Sequence, residues 1–282
     1  MTKRNHWVVV FLMACLLSPQ LYSQANESDE RFSEASVAAS EMQTKKIRQE
    51  LRHFKDDDWA GEYYFGDGLG VNVSLTLAPK SGFVFSWHGC LGLYDLNYGD
   101  VAFTDGAVKL LFKYPNNQEG FEGIASELLP VRWGKRHYLI AVDRIVDFTN
   151  AINAGTEPSS LFGGRSGRFL LRRGDENRAA AGRPSLPNKF VSYILAEPIM
   201  AKVSSVEQAR VEQSRRITYV RIDVGSVEGL KQGMELYVHS PSGIFDTAVV
   251  TSVSEHSARA VIEQREFNDP VPSTDWELST KL

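Results

Sequence analysis

Cysteine is scarce in this chain, with Cys15 and Cys90 the two among 282 residues. A disulfide scaffold is therefore excluded. Long apolar runs are missing too. The main one, Trp7 to Leu17, is about half of the roughly 20 residues a membrane-crossing helix needs. His53, His88, His137, His239 and His256 are scattered, with no His-x-His or i, i+4 pair. No local motif holds a transition metal, so no metal site is expected. No glycine loop runs into Gly-Lys-Ser or Gly-Lys-Thr, which excludes a P-loop. Nothing calls for a cofactor. Positive charge is not in excess: the net charge is −4, a poor starting point for nucleic-acid binding.

The N-terminus carries an export pattern. Lys3 and Arg4 precede the apolar run, Pro19 ends it, and Ser23-Gln24-Ala25 offers small residues at a cleavage site. Residues 1–25 read as a signal peptide cut after Ala25. The mature chain then has 29 basic and 35 acidic residues, a net charge of −6. A competing signal lies inside: Leu12-Met13-Ala14-Cys15 resembles a bacterial lipobox, departing from it at Met13. Lipidation at Cys15 would attach the protein to a membrane, with residues 16–36 as tether. Cleavage at Ala25 leaves Cys90 alone, which suits a bacterial periplasm better than a disulfide-rich eukaryotic secretory route. The expected location is periplasmic or secreted, with a lipoprotein as the alternative.

What the chain has in quantity is alternation. Val71, Val73, Leu75 and Leu77 alternate with Asn72, Ser74 and Thr76. Phe83, Phe85 and Trp87 do the same, as do Val108, Leu110, Phe112 and Tyr114. A strand sends successive side chains to opposite faces, so each run predicts a half-buried strand. Gly66-Asp67-Gly68, residues 79–82, Asn97-Tyr98-Gly99 and Asp105-Gly106 punctuate them as turns. Connections this short leave no room for crossover helices, so the pairing is antiparallel. The opposite face, with Asn72, Ser74, Ser86 and Lys109, meets water or a partner.

Around this meander the organisation is as follows. Residues 26–55 form a helical spacer; Ile47, Leu51 and Phe54 make an apolar stripe, and the half before them is expected to fray. Residues 56–196 form an antiparallel β domain, a barrel or a sandwich. It includes a hairpin about Gly134-Lys135 and a helix near 142–154 capped by Gly155. A last strand is expected from Phe190 to Leu195. Residues 197–282 form a small β-barrel, SH3-like or OB-like. The fold class is mainly β, with flanking helices.

Two resemblances bear on this plan. Trp59-Ala60-Gly61-Glu62-Tyr63-Tyr64, a W-x-G-x-Y order before a meander, resembles the entry of lipocalin-like barrels. It implies a closed barrel able to hold a small ligand. Residues 225–236 carry Gly225-x3-Gly229-Leu230-x2-Gly233-Met234, which resembles the C-terminal domain of flagellar assembly protein T. That resemblance spans about 60 residues and implies an interaction module without catalytic residues.

Candidate chemistry is sparse. His88 and Cys90, in Trp87-His88-Gly89-Cys90, could make a base and nucleophile, with Asp95 orienting His88. A buried, inert Cys90 is the competing reading. Asp143 and Asp147 stand at helical spacing, as an acid/base pair or as solvated caps. Arg165, Arg168, Arg172 and Arg173 cluster around a glycine-rich stretch and could cradle an anion, or merely solvate a loop. Trp59, Tyr63, Trp87 and Tyr94 could line a ligand cavity, or pack a core. The expected function is a non-enzymatic, exported envelope protein that binds an envelope protein or a small apolar or anionic ligand. The alternatives are a small-ligand or lipid carrier and a hydrolase or redox protein using Cys90 and His88.

Overall fold

The computed structural model describes residues 29–53, 59–66, 68, 70–118, 122–158, 169–212, 215–239, 246–264, 270–274 and 276–282. The leader with Cys15, Phe54, Asp56 to Asp58, Arg165 and Arg168 lie outside the described residues. The chain is mainly β and forms two compact units. One comprises Met1–Val142 and Arg168–Pro184; the other comprises Asp143–Gly167 and Ser185–Leu282.

The first unit is a closed antiparallel barrel of eight strands in chain order. These are β1 (Gly61–Gly66), β2 (Val71–Ala78), β3 (Gly82–Gly89), β4 (Gly92–Thr104), β5 (Ala107–Phe112), β6 (Glu127–Trp133), β7 (Arg136–Ala141) and β8 (Phe169–Arg172). Register partners share a face, and the expected alternation sets the rows. Phe65, Val73, Trp87 and Asp95 form one row, and Tyr63, Leu75, Phe85 and Asn97 the next. These rows face inward, because the opposite face is covered from outside by helix α1 (Glu34–Leu51). There Ile47 packs with Ala78, Val84 and Leu96.

Three turns are as the sequence predicts, the first being residues 79–81 between β2 and β3. Asp105 and Gly106 both have positive φ, 56° and 76°, which matches the twist of a two-residue hairpin. Trp133 and Arg136 pair across Gly134-Lys135. Two other expectations are corrected. Asn97-Tyr98-Gly99 is not a turn but the middle of β4. Gly99 is required there because a Cβ would stand 2.0 Å from the Leu111 carbonyl oxygen on β5. Nor does α1 fray at its start. Ser33 caps it by accepting from the Ser36 N–H, and Ser36 and Ser40 are buried against the barrel. Small hydroxyls replace the apolar stripe there, so the apolar periodicity missed it.

The second unit is a closed barrel of six strands in the order β10-β13-β12-β11-β14-β9. They are β9 (Met200–Glu212), β10 (Arg215–Ile222), β11 (Glu235–His239), β12 (Thr247–Val253), β13 (Ala258–Gln264) and β14 (Glu277–Ser279). Its core gathers Val203, Val220, Ile222, Met234, Leu236, Val250, Ile262 and Leu278.

Helix α2 (Ile145–Ala154) ends at Gly155, whose φ is 76°, as its cap position demands. It falls in the second unit rather than with the first barrel. The Asn150 side chain donates to the Gly233 carbonyl at 3.0 Å and accepts from the Glu235 N–H at 3.3 Å. The segment expected as a strand from Phe190 begins instead as a one-turn helix, α3 (Asn188–Val191), followed by turns. Pro187, with φ fixed at −54°, sets up that helix.

Candidate functional site

The residues the sequence singled out fall at separate places on the first barrel. Gly89, Cys90, Leu91 and Gly92 make the tight turn between β3 and β4. Cys90 is exposed at that tip, which corrects the buried reading. Its Sγ lies 3.6 Å from the Tyr94 Oη. Close packing fixes Tyr94: a Cβ on Gly89 would lie 2.1 Å from its ring. His88 is exposed at the end of β3. The third member of the imagined triad is turned away. Asp95 shares the inward row of Trp87 and is 1% exposed, whereas His88 pairs with Leu93 on the other face. A bulge between Trp87 and His88 produces this divergence.

Asp95 instead anchors a polar cluster that sequence reading missed. Its Oδ1 accepts from the Arg31 guanidinium at 3.0 Å and from the Leu96 N–H at 2.8 Å; Oδ2 accepts from the Gly123 N–H at 2.5 Å. Arg31 also bonds Asp29 at 2.6 Å and lies 3.6 Å from Glu122. Burial pushes the Asp95 carboxyl above its ordinary range, against the pull of Gly123 N–H and Arg31. The Asp29 bond holds the Arg31 guanidinium above its usual value. A short turn, Glu30–Phe32, presents Arg31 to the barrel. Neighbouring Asn97 satisfies Tyr114 at both its N–H and its carbonyl.

Three of the four aromatic candidates are core residues, and Tyr94 is half-buried at the tip. Trp59, Tyr63 and Trp87 are 8%, 0% and 3% exposed. Trp59 stacks on Phe103 with ring centroids 5.7 Å apart. The Tyr63 Oη accepts from Arg172 at 3.1 Å, and the Arg173 guanidinium lies 4.6 Å from the Tyr64 ring centroid. Both described arginines of the anion-binding candidate are thus engaged with tyrosines. Asp143 is 74% exposed, and Arg144 bridges to it and to Asp147.

A second buried pair joins β7 to the strand-following segment. His137 Nδ1 and Asp175 Oδ2 are 2.8 Å apart, and the same oxygen accepts the His137 N–H. Arg178 pairs with the other carboxylate oxygen at 3.0 Å. Trp133 Nε1 donates to the Gly182 carbonyl, and Lys135 N–H to that of Ala179. The bonds fasten residues 175–182 along the β6–β7 hairpin. Among the described residues no cluster of His, Cys, Asp and Glu suits a metal ion.

On the second barrel the distinctive element is the β9–β10 hairpin. β14 pairs with β9 only from Met200 to Lys202. From Ser204 to Glu212, β9 pairs with β10 alone among the described residues, leaving its other edge open. Two register shifts, at Tyr219/Val220 and Arg221/Ile222, insert an extra residue each in β9. They are Glu207 and Ser204. Because of them Val206, Ala209 and Val211 lie on the face of core residues Val220 and Thr218. Gln208, Arg210 and Glu212 lie on the other. Val206 and Val211 remain 39% and 63% exposed.

The charged face is paired internally. The Glu207 carboxylate accepts from Arg221 at 3.0 Å and from Arg259 at 2.7 Å, bonds that hold its pKa below the usual value, Arg259 foremost. Arg215 pairs with Glu263, and Arg210 with Glu212 at 3.1 Å. Arg210 also lies over the Tyr219 ring, 5.4 Å from its centroid.

No protein-family model, no curated protein and no solved structure matches this chain. The lipocalin and flagellar resemblances gain no support from relatives.

Proposed function

We propose that this is an exported, non-catalytic interaction protein of the cell envelope, docking through the β9–β10 hairpin of its second barrel. The open edge of β9 carries the reading. An unpaired strand edge presents a row of backbone donors and acceptors that a further strand can satisfy. Proteins usually blunt such edges, and here two bulges do so near the barrel. Beyond them, residues 208–212 stay regular and keep Val211 exposed. Export rests on the leader pattern at residues 1–25.

The other two readings draw less support. A carrier needs free volume in the first barrel, but its inward rows hold Phe65, Trp87, Tyr63 and Phe85. Eight strands enclose room for packed side chains or for one small ligand, and these large inward aromatics favour the packed case. A Cys90 nucleophile needs an oriented base, and Asp95 does not face His88.

The test is the size of the native species. After chemical cross-linking in intact cells, the wild-type chain should elute from extracts larger than its own mass. Val206→Lys together with Val211→Lys should shift it to the monomer while leaving circular dichroism unchanged. An unchanged elution in the double variant contradicts the assignment.

A further inference from the structure

The regular part of the β9 edge carries its own complement. Residues 208–212 read Gln-Ala-Arg-Val-Glu, and their faces are set by pairing with Tyr219, Thr218, Ile217, Arg216 and Arg215. Consider two copies pairing edge to edge and antiparallel about a two-fold axis. That axis must run along the sheet normal, because only then does each copy lie in one continuous sheet. It preserves faces, so it passes midway between the two copies of one residue, and that residue stands opposite itself. Few centres are open. An axis on Gln208 sets Val206 opposite Arg210, and one on Ala209 sets Glu207, bonded to Arg221 and Arg259, opposite Val211; each pair lies on different faces. An axis on Arg210 opposes two arginines, and one on Glu212 opposes two glutamates. Like charges directly opposite one another are destabilising.

An axis on Val211 is different. It sets Arg210 of each copy opposite Glu212 of the other, twice, all on the charged face. It brings the two exposed valines together on the apolar face. We infer that the chain pairs with a second copy of itself in this register, through the outer edge of β9 about Val211. The inference rests on reading the hairpin as a docking element and names what docks there. The intrachain Arg210–Glu212 bond, 3.1 Å long between half-exposed groups, is exchanged for two intermolecular ones. Three residues per copy bury far less than a standard interface of about 1,600 Å². The pairing is therefore weak in dilute solution and is favoured where copies are concentrated or held at one surface.

A cysteine on a two-fold axis meets its own copy, which gives a direct test. Opposed strand residues lie about 4.5–5.5 Å apart between Cα atoms, within disulfide reach. The full chain is produced with Cys15→Ser and Cys90→Ser, because a second thiol, such as that of the exposed Cys90, would cross-link by collision. On this background Val211→Cys should oxidise to a covalent dimer. Gln208→Cys, which meets no copy of itself in this register, should stay monomeric, as should the background alone. Adding Arg210→Glu to Val211→Cys should slow dimer formation about tenfold, the effect of roughly 1.4 kcal/mol from two reversed pairs. Adding Glu212→Arg as well should restore it. Circular dichroism of each variant excludes loss of fold. Equal cross-linking at positions 208 and 211, or no rescue by the double charge swap, overturns the proposal. If Val211→Cys stays monomeric when purified but joins a different polypeptide in cells, self-pairing is refuted and the docking role survives. If it joins nothing in either setting, both fall.

Discussion

At the scale of single residues, the buried charges dictate the sharpest expectations. Asp95 is held inside the first barrel by Arg31, whose side chain is itself only 11% exposed. Removing one partner of such a pair leaves an uncompensated charge. Arg31→Ala should cost about 3 kcal/mol in urea unfolding at neutral pH. The pH dependence has a definite sign. Burial raises the folded pKa of Asp95 above its unfolded value. Its contribution to stability is then fully present below the unfolded pKa and is lost as pH rises through the folded one. Without Arg31 the carboxylate is opposed further, so the deficit of the variant should be largest near neutrality and shrink in acid. A deficit independent of pH contradicts this account. Tyr237 gives a second signature. Burial raises its phenol to about 12, so Tyr237→Phe should remove one late-ionising tyrosine from the ultraviolet titration. At the β3–β4 tip, Cys90 should react with Ellman's reagent in the folded protein without denaturant.

At the scale of elements, helix α1 is fastened to the barrel by side chains of both kinds. Ile47 is fully buried, so Ile47→Ala should cost about 2–4 kcal/mol in thermal or urea unfolding. Gln43 donates to the carbonyls of Ser81, Phe83 and Gly99, and Gln43→Ala should cost about 1 kcal/mol. Such polar fastening leaves no periodic trace, which is why only the Ile47–Leu51 half of α1 was legible. The hairpins were legible because Asp105-Gly106 and Gly134-Lys135 encode their turns locally. The long strand β9 was not. Its bulges at Ser204 and Glu207 break the two-residue alternation, so Val203, Val206 and Val211 look unrelated along the chain yet share one face. The same kind of bulge at Trp87/His88 separated Asp95 from His88 and undid the expected triad. The His137–Asp175 and Arg31–Asp95 pairs join residues 38 and 64 positions apart, beyond the reach of any local pattern.

At the scale of the whole molecule, the chain does not divide at a single point. It enters the second unit at Asp143, is back in the first at Phe169, and leaves it again after Pro184. Helix α2 is therefore a part of the second barrel's unit that precedes it by some distance in sequence. Asn150 and Asn153 hold Gly233, Glu235, Tyr193 and Leu195, and the Leu282 N–H donates to Ala154. Residues 197–282 expressed alone should thus be poorly folded by nuclear magnetic resonance, and fusion to residues 143–155 should restore dispersion.

The central claim is that the open strand beside Arg215–Ile222 is where this protein meets its partner. Site-specific photo-cross-linking in intact cells, with benzoylphenylalanine at Val211 and, as control, at exposed Thr251 of β12, tests it most directly. The account predicts a discrete adduct from position 211 and none from position 251. Adducts of equal yield from both positions, or none from position 211, would contradict it.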